Sequence, residues 1–116
     1  TPDATIDYTA FGGPRGTVPE IKAWLAETLG GFPAFQHLVA NPLLDIDRDT
    51  ATGRTMCFNP MGVARPDGEP GDPRVFFCGL WYLDRFVRTP EGWRITERCE
   101  EKSWVHNMGP AFGGRS

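Results

Sequence analysis

The segment "RVFFCGLWYLDRFVRT" (74–89) decides the fold that this sequence predicts. It is typical of one long β-strand, because β-branched and aromatic residues dominate it and "PEG" (90–92) closes it with a turn. Apolar side chains stand at both alternating sets of positions, so both faces of the strand should be covered. One face is expected to line the interior and the other to pack against a second subunit, with helices of a longer natural chain as the alternative. The two sets are Phe76, Cys78, Leu80, Tyr82 and Phe86, and Val75, Phe77, Trp81, Leu83 and Val87.

Two further strands are predicted beside this one, "ATGRTMCFNPMGVA" (51–64) before it and "WRITERCEEKSWV" (93–105) after it. The short connections imply antiparallel neighbours, and strands of this length must curl rather than lie flat. Bulges and bends are expected at Gly53, Gly62, Gly79, Pro42 and Pro60.

The last strand carries a polar row that is expected to face solvent. Glu97 and Glu101 are the odd residues here, since they lie in the opposite row, which starts apolar; either could meet an arginine or face a cavity or an interface. The polar row is Arg94, Thr96, Arg98, Glu100 and Lys102.

The amino-terminal third predicts a short strand, "ATIDYTAF" (4–11), and one amphipathic helix in "TVPEIKAWLAETLGG" (17–31). Thr17 and Glu20 have the spacing of a capping box, Pro19 suits the first turn, and the glycine pair ends the helix. The apolar helix face is Ile21, Trp24, Leu25 and Leu29. "HLVANPLLDID" (37–47) then predicts a strand that is interrupted at Pro42.

The predicted fold class is therefore α+β, with a strongly curved antiparallel sheet packed on a helix and a cavity between them. A chain of 116 residues supports a single domain, 1–116, and we expect 106–116 to form a tail or lid.

Composition and motifs exclude several function classes. The net charge of −3 gives no electrostatic basis for binding nucleic acid or a membrane, and no apolar run is long enough to span a bilayer. Cys57, Cys78 and Cys99 form no Cys-x-x-Cys pair and are expected to be reduced thiols of a cytoplasmic protein. No phosphate-binding loop, nucleophile elbow or histidine cluster occurs, so neither a cofactor nor a metal is expected.

Two polar residues in apolar surroundings are the candidates for chemistry. His37 stands beside Leu38 and Val39, and neutral imidazole exchanges protons near neutral pH. Tyr8 could hold a water or polarise a carbonyl. The alternatives are a structural histidine bonded to the backbone and an ordinary half-buried tyrosine. Expected pocket-lining residues are Trp24, Phe58, Asn59, Met61 and Trp81, while His106 is expected to be exposed.

At this point the residues resemble the SnoaL-like proteins of the nuclear transport factor 2-like superfamily. The resemblance rests on "TPDATIDYTAFGGPRGTVPEIKAWLAE", "FQHLVAN", "DIDRDTATGRTMCFNP" and "FCGLWYLDRFVRTPEGWRITERCEEKSW". It implies a cone-shaped α+β barrel around a hydrophobic pocket. In that superfamily helices before the first strand form one wall, and we expect them to be missing from this chain.

Among these enzymes the scytalone dehydratases are the nearest mechanistic model. Their tyrosine in "Ile-Asp-Tyr" and histidine in "Gln-His" match Tyr8 and His37, which implies an acid/base histidine and a tyrosine that helps to hold a catalytic water. Their second histidine corresponds to Met61 here, and a further tyrosine and aspartate belong to the first helix of the superfamily fold. The same scaffold also hosts cyclases, isomerases, epoxide hydrolases and inactive proteins.

The resulting expectation is a cofactor-independent lyase or isomerase, dehydratase-like or cyclase-like, that acts on a small apolar cyclic or carbonyl compound. His37 would be the general acid/base and Tyr8 would orient water or a substrate oxygen. The alternatives are a non-catalytic module that binds a small hydrophobic ligand or dimerises, and a plain oligomerisation domain. The expected partners are a small hydrophobic molecule and further copies of the chain, as a dimer or trimer formed through the sheet.

Overall fold

The computed structural model describes residues 1–65, 71 and 73–109. In chain order the elements are β1 Thr5–Asp7, a 3₁₀ turn Thr9–Phe11, β2 Arg15–Thr17, α1 Val18–Gly30, β3 Ala34–Phe35, β4 Leu38–Val39, β5 Leu43–Asp47, β6 Thr50–Val63, β7 Arg74–Thr89 and β8 Gly92–His106.

Three long strands form the body of the sheet. Strands β6, β7 and β8 are consecutive antiparallel neighbours, as the short connections predicted. The short strands β3, β4 and β5 all pair with β6 in the antiparallel sense. Strand β1 pairs with β8 in the parallel sense, so the sheet is mixed rather than purely antiparallel. Otherwise the predicted fold class is confirmed: a strongly curled sheet forms a half-barrel around one helix.

Irregularities occur at some of the expected positions. The register between β7 and β8 shifts between Gly79 and Leu80 and again between Arg85 and Phe86, which increases the local twist of the sheet. The register between β6 and β7 runs without interruption from Thr50 to Val63, so the predicted bulges at Gly53, Pro60 and Gly62 do not occur in that pairing. The predicted strand over 37–47 is divided into β4 and β5 around Pro42, which confirms the predicted interruption.

The helix has the predicted boundaries. Thr17 is its N-cap, and both halves of the capping box with Glu20 are formed. Gly31 is the C-cap residue. Ile21 is 1% exposed, whereas the other apolar residues of the helix face border the cavity described below.

Alternation along the long strands separates two faces of the sheet. On the concave face, towards the helix, Phe76, Cys78, Leu80 and Cys57 form a buried cluster with Tyr82 and Met108. On the convex face, Phe58 stacks on Phe77 with ring centroids 5.8 Å apart, and Trp104 lies 6.1 Å from Phe58. We call Phe58, Phe77 and Trp104 the convex aromatic patch. A side chain at Gly79 would overlap the Trp104 indole, so the patch requires glycine there.

The carboxyl-terminal strand extends through His106, one residue into the predicted tail. The rest of that prediction falls partly on 110–116, outside the described residues. Within the described part of the chain, no helix has the length and apolar character needed to cross a membrane.

Candidate active site

A cavity of about 360 Å³ lies between the helix and the concave face of the sheet. Side chains of α1, the turn after β1, the 32–37 segment and the three long strands line it. Most of these side chains are apolar, and the few polar groups among them therefore determine what the cavity can bind or do.

His37 and Asn59 form one polar corner of the cavity. Gln36 donates its backbone N–H to the carbonyl of Pro60, and Leu38 pairs with Phe58, so His37 comes to lie opposite Asn59. His37 Nε2 lies 3.1 Å from Asn59 Nδ2. The histidine is an exposed residue that also lines the cavity, which places it at the open side. Partial desolvation lowers the pKa of His37 below its ordinary value of 6.5, so the ring is neutral at neutral pH.

Asn59 is a buried polar residue of the cavity wall. It is 5% exposed, and its Oδ1 has no hydrogen-bond partner among the described residues. Its amide holds the imidazole, and the orientation of that amide decides which ring nitrogen carries the proton. The corner therefore contains an oriented ring and a polar atom that remains available to a bound molecule.

Tyr8 and Trp24 form another part of the cavity wall. Tyr8 follows β1 and is fixed by two backbone hydrogen bonds, to Pro14 and from Gly13. Its ring lies 6.0 Å from that of Trp24, and a side chain at Gly13 would collide with both residues. Burial raises the pKa of Tyr8, with Arg98 acting in the opposite direction, so the phenol stays protonated and can donate a hydrogen bond.

The long strands contribute further ionisable groups. Glu100 of β8 pairs with Tyr82 of β7, and both side chains line the cavity together with Cys78. Burial raises the pKa of Glu100 to about 7, with the charge of Arg98 acting in the opposite direction. Burial also raises the pKa of Cys78, to about 11, so this thiol is not a nucleophile at neutral pH.

A buried ion pair lies beside this group of residues. Asp84 accepts two hydrogen bonds from Arg98, from Nε at 2.8 Å and from Nη2 at 2.9 Å. Desolvation acts to lower the pKa of Arg98, but hydrogen bonding to Asp84 and its charge outweigh it and raise that pKa. The Arg98 guanidinium also covers the ring of Tyr82 at 4.2 Å.

Five of the seven predicted site residues line the cavity. These are Tyr8, Trp24, His37, Asn59 and Met61. Phe58 and Trp81 do not line it, contrary to the prediction. Both belong to the alternating set that faces away from the helix: Phe58 is in the convex aromatic patch, and Trp81 lies under the Arg54 guanidinium at 4.0 Å.

Glu100 and Arg98 are the residues that sequence reasoning missed. They were expected to face solvent, because Trp93 and Ile95 mark the other row of β8 as the inner one. The register shift between Arg85 and Phe86 exchanges the two rows, so the inner row continues with Arg98 and Glu100. The position of Glu97 and Glu101 in a row that starts apolar was the available signal. Each meets an arginine on the convex face, Arg85 at 3.4 Å and Arg54 at 2.7 Å.

Two observations bear on other kinds of chemistry. Residues 1–65, 71 and 73–109 contain no group of three or more histidine, cysteine or acidic side chains placed to hold a metal ion. Cys57, Cys78 and Cys99 lie in three different strands and are free thiols.

The curled sheet, the helix and the cavity between them define a protein of the nuclear transport factor 2-like fold. The SnoaL-like domain matches residues 1–99, and the chain belongs to this SnoaL-like family. In sequence it is 53% identical over 109 residues to Rv2910c of Mycobacterium tuberculosis (strain H37Rv), covering 93% of this chain and 70% of that protein.

Solved structures extend the comparison. The Kfla4162 protein of Kribbella flavida is 26% identical, with a TM-score of 0.77 and coverage of 92% of this chain and 74% of that one. A candidate scytalone dehydratase of Novosphingobium aromaticivorans has a TM-score of 0.73 at 14% identity, and the match covers 94% of this chain and 69% of that one. A type 2 hexachlorocyclohexane dehydrochlorinase (LinA) has a TM-score of 0.73 at 15% identity, and the match covers 95% of this chain and 71% of that one. At these last two identities the similarity is one of fold.

Proposed function

We propose that this protein is a cofactor-independent lyase that eliminates water from a small cyclic β-hydroxy carbonyl compound. The observation that carries the proposal is the cavity itself, whose apolar lining includes both an oriented, neutral imidazole and a protonated phenol. The names of two structural neighbours, a dehydratase and a dehydrochlorinase, both describe eliminations and support the same reaction class.

In this reaction Nε2 of His37 removes the proton from the carbon next to the carbonyl group, exchanging the hydrogen bond from Asn59 Nδ2 for that proton. The electron pair of that C–H bond forms the new carbon–carbon double bond as the C–O bond to the hydroxyl breaks. Tyr8 donates a hydrogen bond to the carbonyl oxygen, where negative charge develops. The lowered pKa of His37 keeps the ring in its basic form at neutral pH.

The main alternative is a module that binds a small hydrophobic molecule without changing it. Such a module needs only the apolar walls. The presence of a second titratable group, Glu100, in the same cavity as His37 supports catalysis instead, because acid/base chemistry requires groups that exchange protons.

The test is turnover of a panel of cyclic β-hydroxy ketones, followed by the ultraviolet absorbance of the conjugated enone that forms. The wild type should act on at least one member, and His37→Ala and His37→Gln should lower kcat by about 10²–10⁴-fold, the usual contribution of a general acid/base.

The other histidine supplies the matched control. His106 lies 6.2 Å from Phe77 and is exposed, outside the cavity. His106→Gln should therefore retain the wild-type rate. Absence of turnover by the wild type across the panel, or equal rates for His37→Ala and the wild type, would contradict the proposal.

For the convex aromatic patch we propose a second copy of the chain as the partner. Phe58 is 39% exposed and Trp104 45% exposed, with exposed Leu38 and Met56 on the neighbouring strand positions. The Arg54–Glu101 ion pair on the same face presents charges of both signs near the patch, so two copies related by a two-fold axis can match it. Sedimentation velocity should show a dimer or larger assembly for the wild type and a monomer for Trp104→Glu.

Ile46→Glu is the control for that experiment, because Ile46 is an exposed apolar residue outside the patch. It should keep the wild-type assembly. A monomeric wild type would contradict a second copy as the partner.

A further inference from the structure

Glu100 is a cavity carboxyl group that the reaction described above does not use. The register pairs it with Tyr82, between the positions of Arg98 and Lys102 on the same face of β8. It lines the cavity that also contains His37 and Tyr8. Its neighbour Glu101 points to the opposite face and bonds to Arg54.

The Glu100 carboxyl group has no hydrogen-bond or ion-pair partner within the described part of the chain. It has two basic neighbours on that face of the strand: Arg98 is engaged in two hydrogen bonds with Asp84, and Lys102 lies over the Phe11 ring at 5.6 Å. Polar groups inside proteins are usually paired, so an unpaired carboxyl group that faces a cavity is available to whatever the cavity binds.

The charged and titratable groups around Glu100 come from every side of the cavity. They are Arg98 and Lys102 on β8, Tyr82, Cys78 and Asp84 on β7, Cys57 on β6, Asp7 and Tyr8 at the end of β1, and His37 on the 32–37 segment. The helix contributes only Trp24, Leu25, Thr28 and Leu29 to the lining. Among the described residues, Arg98 is the positive charge that lowers the pKa of Glu100; it is paired with Asp84, and desolvation outweighs its effect.

We propose that Glu100 is the catalytic general acid that protonates the departing hydroxyl group, working with His37 as the base. This inference rests on the proposed elimination and supplies its missing proton donor.

The protons and electrons of the step balance. The substrate loses one proton to His37 and one hydroxyl group, and the C–H electron pair becomes the double bond. Glu100 gives its proton to the hydroxyl group, which leaves as water. His37 is then protonated and Glu100 ionised, and exchange with solvent at the open side returns both to their starting forms.

A specific pH dependence follows from this pair. The base must be unprotonated, which sets an acidic limb below the ordinary histidine pKa of 6.5. The acid must be protonated, which sets an alkaline limb at a pKa of about 7. The rate should therefore follow a narrow bell with its maximum between these values.

The kinetic test compares the pH profiles of the wild type and Glu100→Gln on the compound from the panel that the wild type dehydrates. Glu100→Gln should lower kcat by about 10²-fold or more and should lose the alkaline limb, since glutamine does not titrate. Glu91→Gln, an exposed glutamate in the turn between β7 and β8, is the control and should keep both the rate and the profile.

A titration that needs no substrate accompanies it. Carbon-13 NMR of protein labelled at the glutamate carboxyl carbon, assigned with Glu100→Gln, should give Glu100 a midpoint near 7. Correctly folded Glu100→Gln is verified by the same spectra.

The possible results separate the two proposals. If His37→Ala loses activity while Glu100→Gln keeps the wild-type rate and the alkaline limb, the general acid is not Glu100 and the elimination proposal survives. A Glu100 carboxyl group that titrates in the ordinary range of a glutamate would also overturn the inference. If the wild type dehydrates none of the panel, both proposals fail.

Discussion

The two faces of one sheet place similar side chains in opposite environments. Phe76 is fully buried on the concave face, whereas its neighbour Phe77 stacks in the convex aromatic patch. Glu100 faces the cavity with no hydrogen-bond or ion-pair partner among the described residues, whereas Glu101 forms an exposed ion pair with Arg54. The comparison shows that the face, and not the residue type, sets what each side chain does.

The same contrast separates the two proposed roles of the sheet. The concave face combines apolar packing with a small number of polar groups, which is the usual composition of a site for a small molecule. The convex face presents exposed aromatic side chains near the Arg54–Glu101 ion pair, and aromatic residues and arginine are enriched in protein–protein interfaces.

The largest expected effect compares Phe76→Ala with Phe77→Ala. Phe76 is 0% exposed and lies at the centre of the concave cluster, so its truncation should lower the free energy of unfolding by about 3–5 kcal/mol. Phe77 is only partly buried, and its truncation should cost about 1 kcal/mol. Urea denaturation at one protein concentration measures both values. Equal losses for the two variants would show that the faces do not differ as described.

The next effect concerns the two arginine–carboxylate pairs. Asp84→Ala removes the counter-charge of Arg98, whose side chain is 29% exposed. It should lower the free energy of unfolding by about 2–3 kcal/mol. In the convex pair Arg54 and Glu101 are 45% and 48% exposed, so Arg54→Ala should cost less than about 1 kcal/mol. Urea denaturation again provides the comparison, and a larger loss for Arg54→Ala would reverse the assignment of the inner pair.

Much of the fold could be predicted because local patterns determine it. The capping box of Thr17 and Glu20, the glycine pair after the helix and the alternation in β7 are signals that neighbouring residues carry on their own. His37 and Tyr8 could be predicted as cavity residues because polar residues in apolar runs are conspicuous. The resemblance to known enzymes indicates the same two positions.

The errors arose where pairing between distant strands decides the outcome. The exchange of rows in β8 depends on a register shift against β7, which leaves only an indirect trace in the sequence. The faces of Phe58 and Trp81 also depend on which side of the sheet the helix covers. These features need the register of the whole sheet, so the sequence alone did not reveal Glu100 as a cavity residue.

The most direct test of the two-faced sheet is the pH dependence of the free energy of unfolding for the wild type and Glu100→Gln. The pKa of Glu100 is raised from 4.5 to about 7 in the folded protein, so the folded state favours the protonated carboxyl group. The resulting contribution to the free energy of unfolding is fully present below pH 4.5 and is lost as the pH rises through 7. One pKa unit corresponds to about 1.4 kcal/mol of differential interaction. Since the cavity is partly open to solvent, we expect the free energy of unfolding of the wild type to fall by about 2 kcal/mol over this range.

Glu100→Gln cannot ionise and should escape this loss. Relative to the wild type it should therefore gain about 2 kcal/mol between about pH 4.5 and about pH 8, while Glu101→Gln should follow the wild-type curve. Parallel curves for the wild type and Glu100→Gln across this range would contradict the account, because they would place Glu100 in water rather than in the cavity.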